Sequence, residues 1–206
     1  MADFTTLDQL DVRAKRVLVY CYGGHASQIW WQGVRDKLVR LDNLSVLSVP
    51  VHAAQSLGLL AQRALQLNVN ISDPHKPFWK PGDQTKHPAS KTFKADEVPI
   101  PGFLFDHPKV REELALYYSS VRRADDAVGS ILDALKKSGE ANNTIVIFLS
   151  DHGMPLPFAK TALWHHSTHT PLIIKIPGIT KPNAIDSDHV VSAVDFAPTI
   201  LDLLKI

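Results

Sequence analysis

Apolar residues come in two kinds of pattern along this chain. Short continuous runs bounded by turn residues alternate with stretches whose apolar positions recur every three or four residues. Arg16-Val-Leu-Val-Tyr-Cys21, closed by Gly23-Gly24, reads as a buried strand. Trp30, Val34, Leu38 and Leu41 then fall on one helical face. Leu44–Val49 reads as a second strand, His52–Leu67 as a second helix, and Leu67-Asn-Val-Asn-Ile-Ser72 as a third strand. Beyond it, Pro77 to Pro108 is rich in Pro and Lys without sustained periodicity, which predicts a long surface loop.

The clearest helix opens at Asp106-His107-Pro108. Leu114, Tyr117, Tyr118, Val121, Ala124, Val128, Ile131 and Leu135 keep the helical spacing, and Ser138-Gly139 stops it after Lys136-Lys137. Thr144-Ile-Val-Ile-Phe-Leu-Ser150 is continuous rather than alternating, which suits a strand covered on both faces. Pro171–Pro177 is another strand, and Asp195–Leu204 a short helix with Pro198 in its tolerant first turn. This alternation predicts an α/β fold, a mainly parallel sheet sandwiched by helices. Composition shifts near residue 67, which divides the chain into an atypical βαβα-like segment, 1–66, and an α/β core, 67–206.

Composition narrows the function classes. With 45% hydrophobic and 21% charged residues, the 206-residue chain has a globular mix. A net charge of +1 gives no electrostatic reason to expect nucleic acid as partner, and no apolar run reaches the roughly 18 residues of a membrane span. The amino terminus lacks the layout of a signal peptide, which leaves the compartment open. A single cysteine, Cys21, excludes an internal disulfide and any zinc site built on several thiolates. Beside Gly23-Gly24 it invites comparison with a nucleophile, but a lone strand-end cysteine reads better as packing.

The chemistry concentrates where strands end. Asp151-His152-Gly153 leaves the continuous apolar run, at the sheet edge where open α/β folds bind ligands. A carboxylate is a hard ligand for calcium or magnesium, and imidazole adds a nitrogen for a transition metal. Asp73-Pro74-His75 is a second strand end, whose histidine can protonate a leaving group or bond an anion. Lys160, in the Pro-punctuated loop after Asp151, can neutralise an oxyanion. His165, His166 and His169 have metal-like spacing without a definite helical frame, which favours a structural or rim role.

Three segments, in this order and spacing, resemble the sulfatase family of the alkaline-phosphatase superfamily. They are Asn68-Val-Asn-Ile-Ser-Asp-Pro-His-Lys-Pro-Phe78, then Tyr117–Asp126 leading to Ser150-Asp-His-Gly153, then Thr170-Pro-Leu-Ile-Ile-Lys-Ile-Pro-Gly178. Val194–Asp202 looks like the family's following helix, so the resemblance covers about residues 67–206. It implies hydrolysis of sulfate esters or sulfamates on sugars. By it, Asp151 and His152 match a pair of metal ligands, His75 the active-site histidine, and Lys160 a basic residue on the sulfate. The implied metal is calcium; because nearby relatives carry Asn where this chain has His152, manganese and zinc stay open.

The family's nucleophile is a formylglycine made within Cys/Ser-x-Pro-x-Arg, and its metal site includes an Asp-Asp pair near the first strand. No Cys/Ser-x-Pro-x-Arg occurs in these 206 residues, and no Asp-Asp stands near the first strand; Asp125-Asp126 falls in the 108–137 helical stretch. Residues 1–66 do not resemble the family's front, which implies a middle piece whose front is truncated, replaced or read in a shifted frame. Two other functions fit the same residues: a superfamily phosphodiesterase, and a non-catalytic fragment that binds a sulfated ligand.

Overall fold

A computed structural model describes residues 16–22, 46–50, 66–83 and 87–203. Five strands form one sheet: β1 (Arg16–Tyr22), β2 (Val46–Pro50), β3 (Gln66–Ile71), β4 (Thr144–Ser150) and β5 (Leu172–Lys175), in the order β2-β3-β1-β4-β5. β1 lies parallel to both β3 and β4, and β2 lies parallel to β3. Only β5 runs antiparallel, against β4. The expected strands are therefore present within a residue or two of their ends. The two helices expected near 30–41 and 52–67 fall outside the described residues. The sheet is continuous across residue 67, because β1 sits between β3 and β4.

Register fixes where the site can form. Tyr22 is level with Ile71 on one side and Ser150 on the other. The segments that leave β3 and β4, carrying His75 and Asp151-His152, thus emerge at the same sheet edge, on either side of β1. That edge is the carboxyl end of a parallel sheet, where the unpaired strand ends leave a crevice.

The long helix α1 (Pro108–Lys137) begins with a side-chain cap: His107 is extended, and its Nδ1 accepts from the Lys109 N–H at 3.2 Å. Pro108 occupies the first turn, where its missing donor costs nothing. The helix ends at Gly139, whose φ of +79° suits glycine and whose N–H donates to the Lys136 carbonyl at 3.1 Å. A single turn α2 (His165–Thr168) precedes β5, and α3 (Phe196–Leu203) closes the described chain. α3 follows a 3-10 turn, Ala193–Asp195, in which Ser192 and Asp195 cap each other's backbone. No helix among the described residues is long and apolar enough to cross a membrane.

β4 is buried on both faces, as its continuous apolar run requires. Ile145, Ile147 and Leu149 pack with Ile200 and Leu203 of α3 and with Leu172 and Ile174 of β5. On the other face Phe148 shares a cavity wall with Val121 of α1. Ile145 is wholly buried, so Ile145→Ala is expected to cost about 2–5 kcal/mol in urea unfolding. Ile173→Ala on the neighbouring strand, where the side chain is exposed, is expected to change stability by less than about 0.5 kcal/mol.

The Pro- and Lys-rich stretch departs from a loop lying merely on the surface. It buries Phe78, Trp79 and Val98. Val98 joins Leu114 and Ala115 of α1 and Leu156 in a second apolar cluster. Its backbone is tied to α1 by hydroxyls and carboxylates. Trp79 N–H donates to Ser120 Oγ at 3.0 Å, Phe93 N–H to Ser119 Oγ at 3.0 Å, and Ser90 N–H to Asp126 at 2.7 Å. Ser119 and Ser120 are buried in a helix of apolar neighbours because each satisfies a loop amide.

Candidate active site

A cavity of about 650 Å³ opens at the carboxyl edge of the sheet, between β4, α1 and the loops that follow β3 and β4. Its wall holds His75 from the first strand end and Asp151 and His152 from the second. All three cavity-lining histidines of the α2 region, His165, His166 and His169, also face it. Their frame is the one-turn helix α2, too short to leave a period in the sequence.

His75 and Lys160 lie 85 positions apart in the chain and meet in space. Lys160 Nζ is 3.3 Å from His75 Nε2, while His75 Nδ1 is 2.5 Å from the Lys76 carbonyl. A carbonyl only accepts, so Nδ1 carries the ring's proton and Nε2 accepts from the ammonium. An anion at this point meets the Lys160 ammonium, and bonds His75 Nε2 only when that nitrogen also carries a proton.

At the end of β4, His152 Nδ1 donates to the Gly153 carbonyl at 2.7 Å, which leaves Nε2 with its lone pair. That nitrogen is 3.6 Å from Asp151 Oδ2. Two donors of different chemistry, one hard oxygen and one imidazole nitrogen, are therefore adjacent. They suit a share of a divalent cation's ligand set, and a hard cation takes further oxygens. Among the described residues no group of three or more His, Cys, Asp or Glu is arranged to hold a metal ion.

Gly153 sets the packing behind this pair. A Cβ there would lie 1.9 Å from the His166 carbonyl oxygen and 2.6 Å from that of Ala159. The Gly153 N–H donates to the Ser167 carbonyl at 3.0 Å. Close approach, rather than an unusual dihedral, is what requires glycine here.

The turn that carries His75 is anchored from behind. Asp73 is buried, and its Oδ2 accepts from Arg123 Nε of α1 at 2.5 Å. Burial pushes the Asp73 carboxyl above its ordinary 3.8, against the opposing pull of Arg123. The His75 N–H also closes onto the Ser72 carbonyl at 2.9 Å, and Lys76 pairs with Glu113 of α1. The peptide bonds Asp73-Pro74 and Lys76-Pro77 are both cis.

Sequence reasoning took Tyr117–Asp126 as a segment of the resemblance but gave no role to Arg123, or to Tyr117, Arg122 and Asp125 in the cavity wall. Burial, with Tyr118 adding to it, pushes the Tyr117 hydroxyl up to about 12, so it stays a neutral hydroxyl. No local signal marks Arg123: it lies about 100° around the helix from Ala124, off the apolar face, and its partner Asp73 is 50 positions away. Cys21 lies in β1, but its side chain is outside what the structure describes.

Comparison with known proteins follows the same span. A family model described as Sulfatase matches residues 67–206, and one described as YaeQ protein matches residues 1–85. The human N-sulphoglucosamine sulphohydrolase is 39% identical over 110 residues, covering 53% of this chain and 22% of that protein. An ulvan-active sulfatase of Formosa agariphila is 32% identical over 152 residues, covering 67% of this chain and 28% of its own. A solved structure concerned with the metabolism of multiple glycosaminoglycans by Bacteroides thetaiotaomicron superposes with a TM-score of 0.60 at 26% identity. It covers 75% of this chain and 35% of that one. The chain thus spans about a quarter of the length of the curated relatives it matches.

Proposed function

The chain belongs to the sulfatase family, and on that premise we propose that it carries the substrate-binding half of a site for hydrolysing sulfate esters or sulfamates on sugars. The α/β fold is that of the alkaline-phosphatase superfamily. The observation that carries the reading is that Lys160 Nζ lies 3.3 Å from Nε2 of His75, a residue that lines one cavity with Asp151 and His152.

In this reading Lys160 holds the sulfate and neutralises its charge, and His75, once Nε2 has taken up a proton, bonds the same group or protonates the departing oxygen or nitrogen. Asp151 and His152 would hold a divalent cation, calcium by family habit, with manganese or zinc favoured by the imidazole. When bound, such a cation supplies positive charge to the sulfate oxygens. The family also relies on a formylglycine nucleophile, and these 206 residues contain no Cys/Ser-x-Pro-x-Arg from which to make one. The groups that this chain itself brings to the site are those that bind and orient the sulfate.

Titration of the purified chain with N-sulfoglucosamine tests this. Saturable binding is expected, weakened about ten- to a hundredfold by Lys160→Ala or His75→Ala, the range for one charge-assisted hydrogen bond. Equal or tighter binding of the matching phosphate ester would turn the assignment toward a phosphodiesterase.

A further inference from the structure

His165, His166 and His169 sit on and just after the single turn α2, and all three are exposed and line the cavity. Elsewhere the chain engages its imidazoles: His75, His107, His152 and His189 each bond a ring nitrogen to an oxygen or an amide. Among the described residues no ring nitrogen of the three α2 histidines has a hydrogen-bonding or ion-pairing partner, and their rings meet only other rings. Their nitrogens thus reach the cavity with donor and acceptor capacity unspent.

The spacing of these residues lacks a helical frame in sequence, and the structure supplies one. The His169 N–H donates to the His165 carbonyl at 2.8 Å, so these two stand one helical turn apart on the same face. Their rings lie 4.6 Å apart between centroids, 18° from parallel. His166 is engaged elsewhere: its ring stacks on Phe103 at 4.2 Å and meets His165 edge-on at 5.8 Å. The turn is pinned from behind, with Ser167 buried and its carbonyl accepting from the Gly153 N–H at 3.0 Å. The backbone is therefore held, and only two exposed side chains have to move to take a ligand.

We propose that His165 and His169 form a two-histidine site for a transition-metal ion of the zinc type, separate from the cation assigned to Asp151 and His152. Histidines at i and i+4 on one helical face are a recurrent zinc-binding pair. Two nitrogens bound at about 2.0–2.1 Å to one tetrahedral ion stand about 3.3 Å apart. Rotation about the side-chain bonds of the two exposed rings brings one nitrogen of each to that separation and tips the rings out of their stack. Two imidazoles without a carboxylate select nickel, copper or zinc over calcium and magnesium. No third His, Cys, Asp or Glu is arranged with the pair among the described residues, so water or a bound anion fills the other positions. An ion held here adds positive charge to the cavity that His75, Asp151 and His152 line. Its binding is independent of the reaction proposed above.

Calorimetric titration of the full chain with zinc chloride, in excess calcium, tests the site. Wild type is expected to take up about one equivalent, and His165→Ala or His169→Ala to weaken it at least about tenfold. His166→Ala is expected to stay within about twofold of wild type. His169→Cys replaces one zinc ligand by another and is expected to keep most of the affinity, whereas His169→Gln is expected to lose it. All three side chains are exposed, so each variant should keep the wild-type urea midpoint. The site is overturned if wild type takes up no zinc, if both alanine variants bind it as wild type does, or if His169→Gln binds as tightly as His169→Cys. Loss of the zinc in His152→Ala, with the α2 variants unchanged, would assign the ion to Asp151 and His152 instead.

Discussion

Replacing Gly153 by alanine is expected to dismantle the site while leaving the rest of the sheet folded. The added methyl would sit 1.9 Å from one backbone oxygen and 2.6 Å from another, and neither belongs to a side chain that can swing away. Relief requires the Ala159 and His166 segments to retreat. Those segments carry Lys160 on one side and the α2 histidines on the other, so the displacement reaches the groups that face the ligand. Overpacking of this kind costs about 1–3 kcal/mol or more. The measurable result is a lower urea midpoint together with a loss of N-sulfoglucosamine binding by at least about tenfold.

Gly129→Ala is the matched control. Gly129 lies inside α1, exposed, with nothing within 4 Å of the position a Cβ would take. There the methyl removes unfolded-state freedom and is expected to stabilise by about 0.5–1 kcal/mol. One substitution therefore has opposite signs at two glycines. If Gly153→Ala bound its ligand as wild type does, the close packing of the three segments would not be a requirement of the site.

The parts of this fold that were legible in sequence are those where one element decides its own pattern. The 144–150 run and the 108–137 helix are set by residues a few positions apart, and the structure places them within a residue or so of the expected limits. The strand-end positions of His75 and Asp151 were readable for the same reason. What was not readable depends on contacts between distant segments. The loop from 72 to 107 has no period because hydroxyls of α1 hold its backbone amides, so its stability is written in Ser119 and Ser120 rather than in itself. The meeting of Lys160 with His75 spans 85 positions and leaves no local mark. The close approach at Gly153 leaves no local mark either, because its cause is the backbone packed behind it.

Arg123→Met is expected to produce a stability defect that grows with pH. Arg123 is the partner that holds the Asp73 carboxyl in its ionised form, and Asp73 is the buried base of the turn that carries His75. In the wild type, burial raises the Asp73 pKa above 3.8 even against Arg123. The folded state therefore binds this proton more tightly than the unfolded chain. The contribution is fully present below 3.8 and is lost as pH rises through the folded value. Without Arg123 both influences that lower the pKa disappear, so the folded value climbs and the loss extends to higher pH. An unpaired carboxylate left in place costs about 3–5 kcal/mol.

Urea unfolding of wild type and variant across pH 4 to 8 checks this through their difference, so that acid effects common to both cancel. The difference is expected to be small at the acid end and to approach about 3 kcal/mol near neutrality. The double variant Arg123→Met/Asp73→Asn removes the charge as well as its partner, and is expected to recover part of the loss and to flatten the pH dependence. A defect independent of pH would assign Arg123 to packing, through its guanidinium 5.9 Å over the Trp79 ring, instead of to the charge on Asp73. The two cases also separate at the site. If the ion pair positions the turn, Arg123→Met weakens sulfate binding in step with the pH-dependent loss; if the arginine only packs on Trp79, binding is the same across the range.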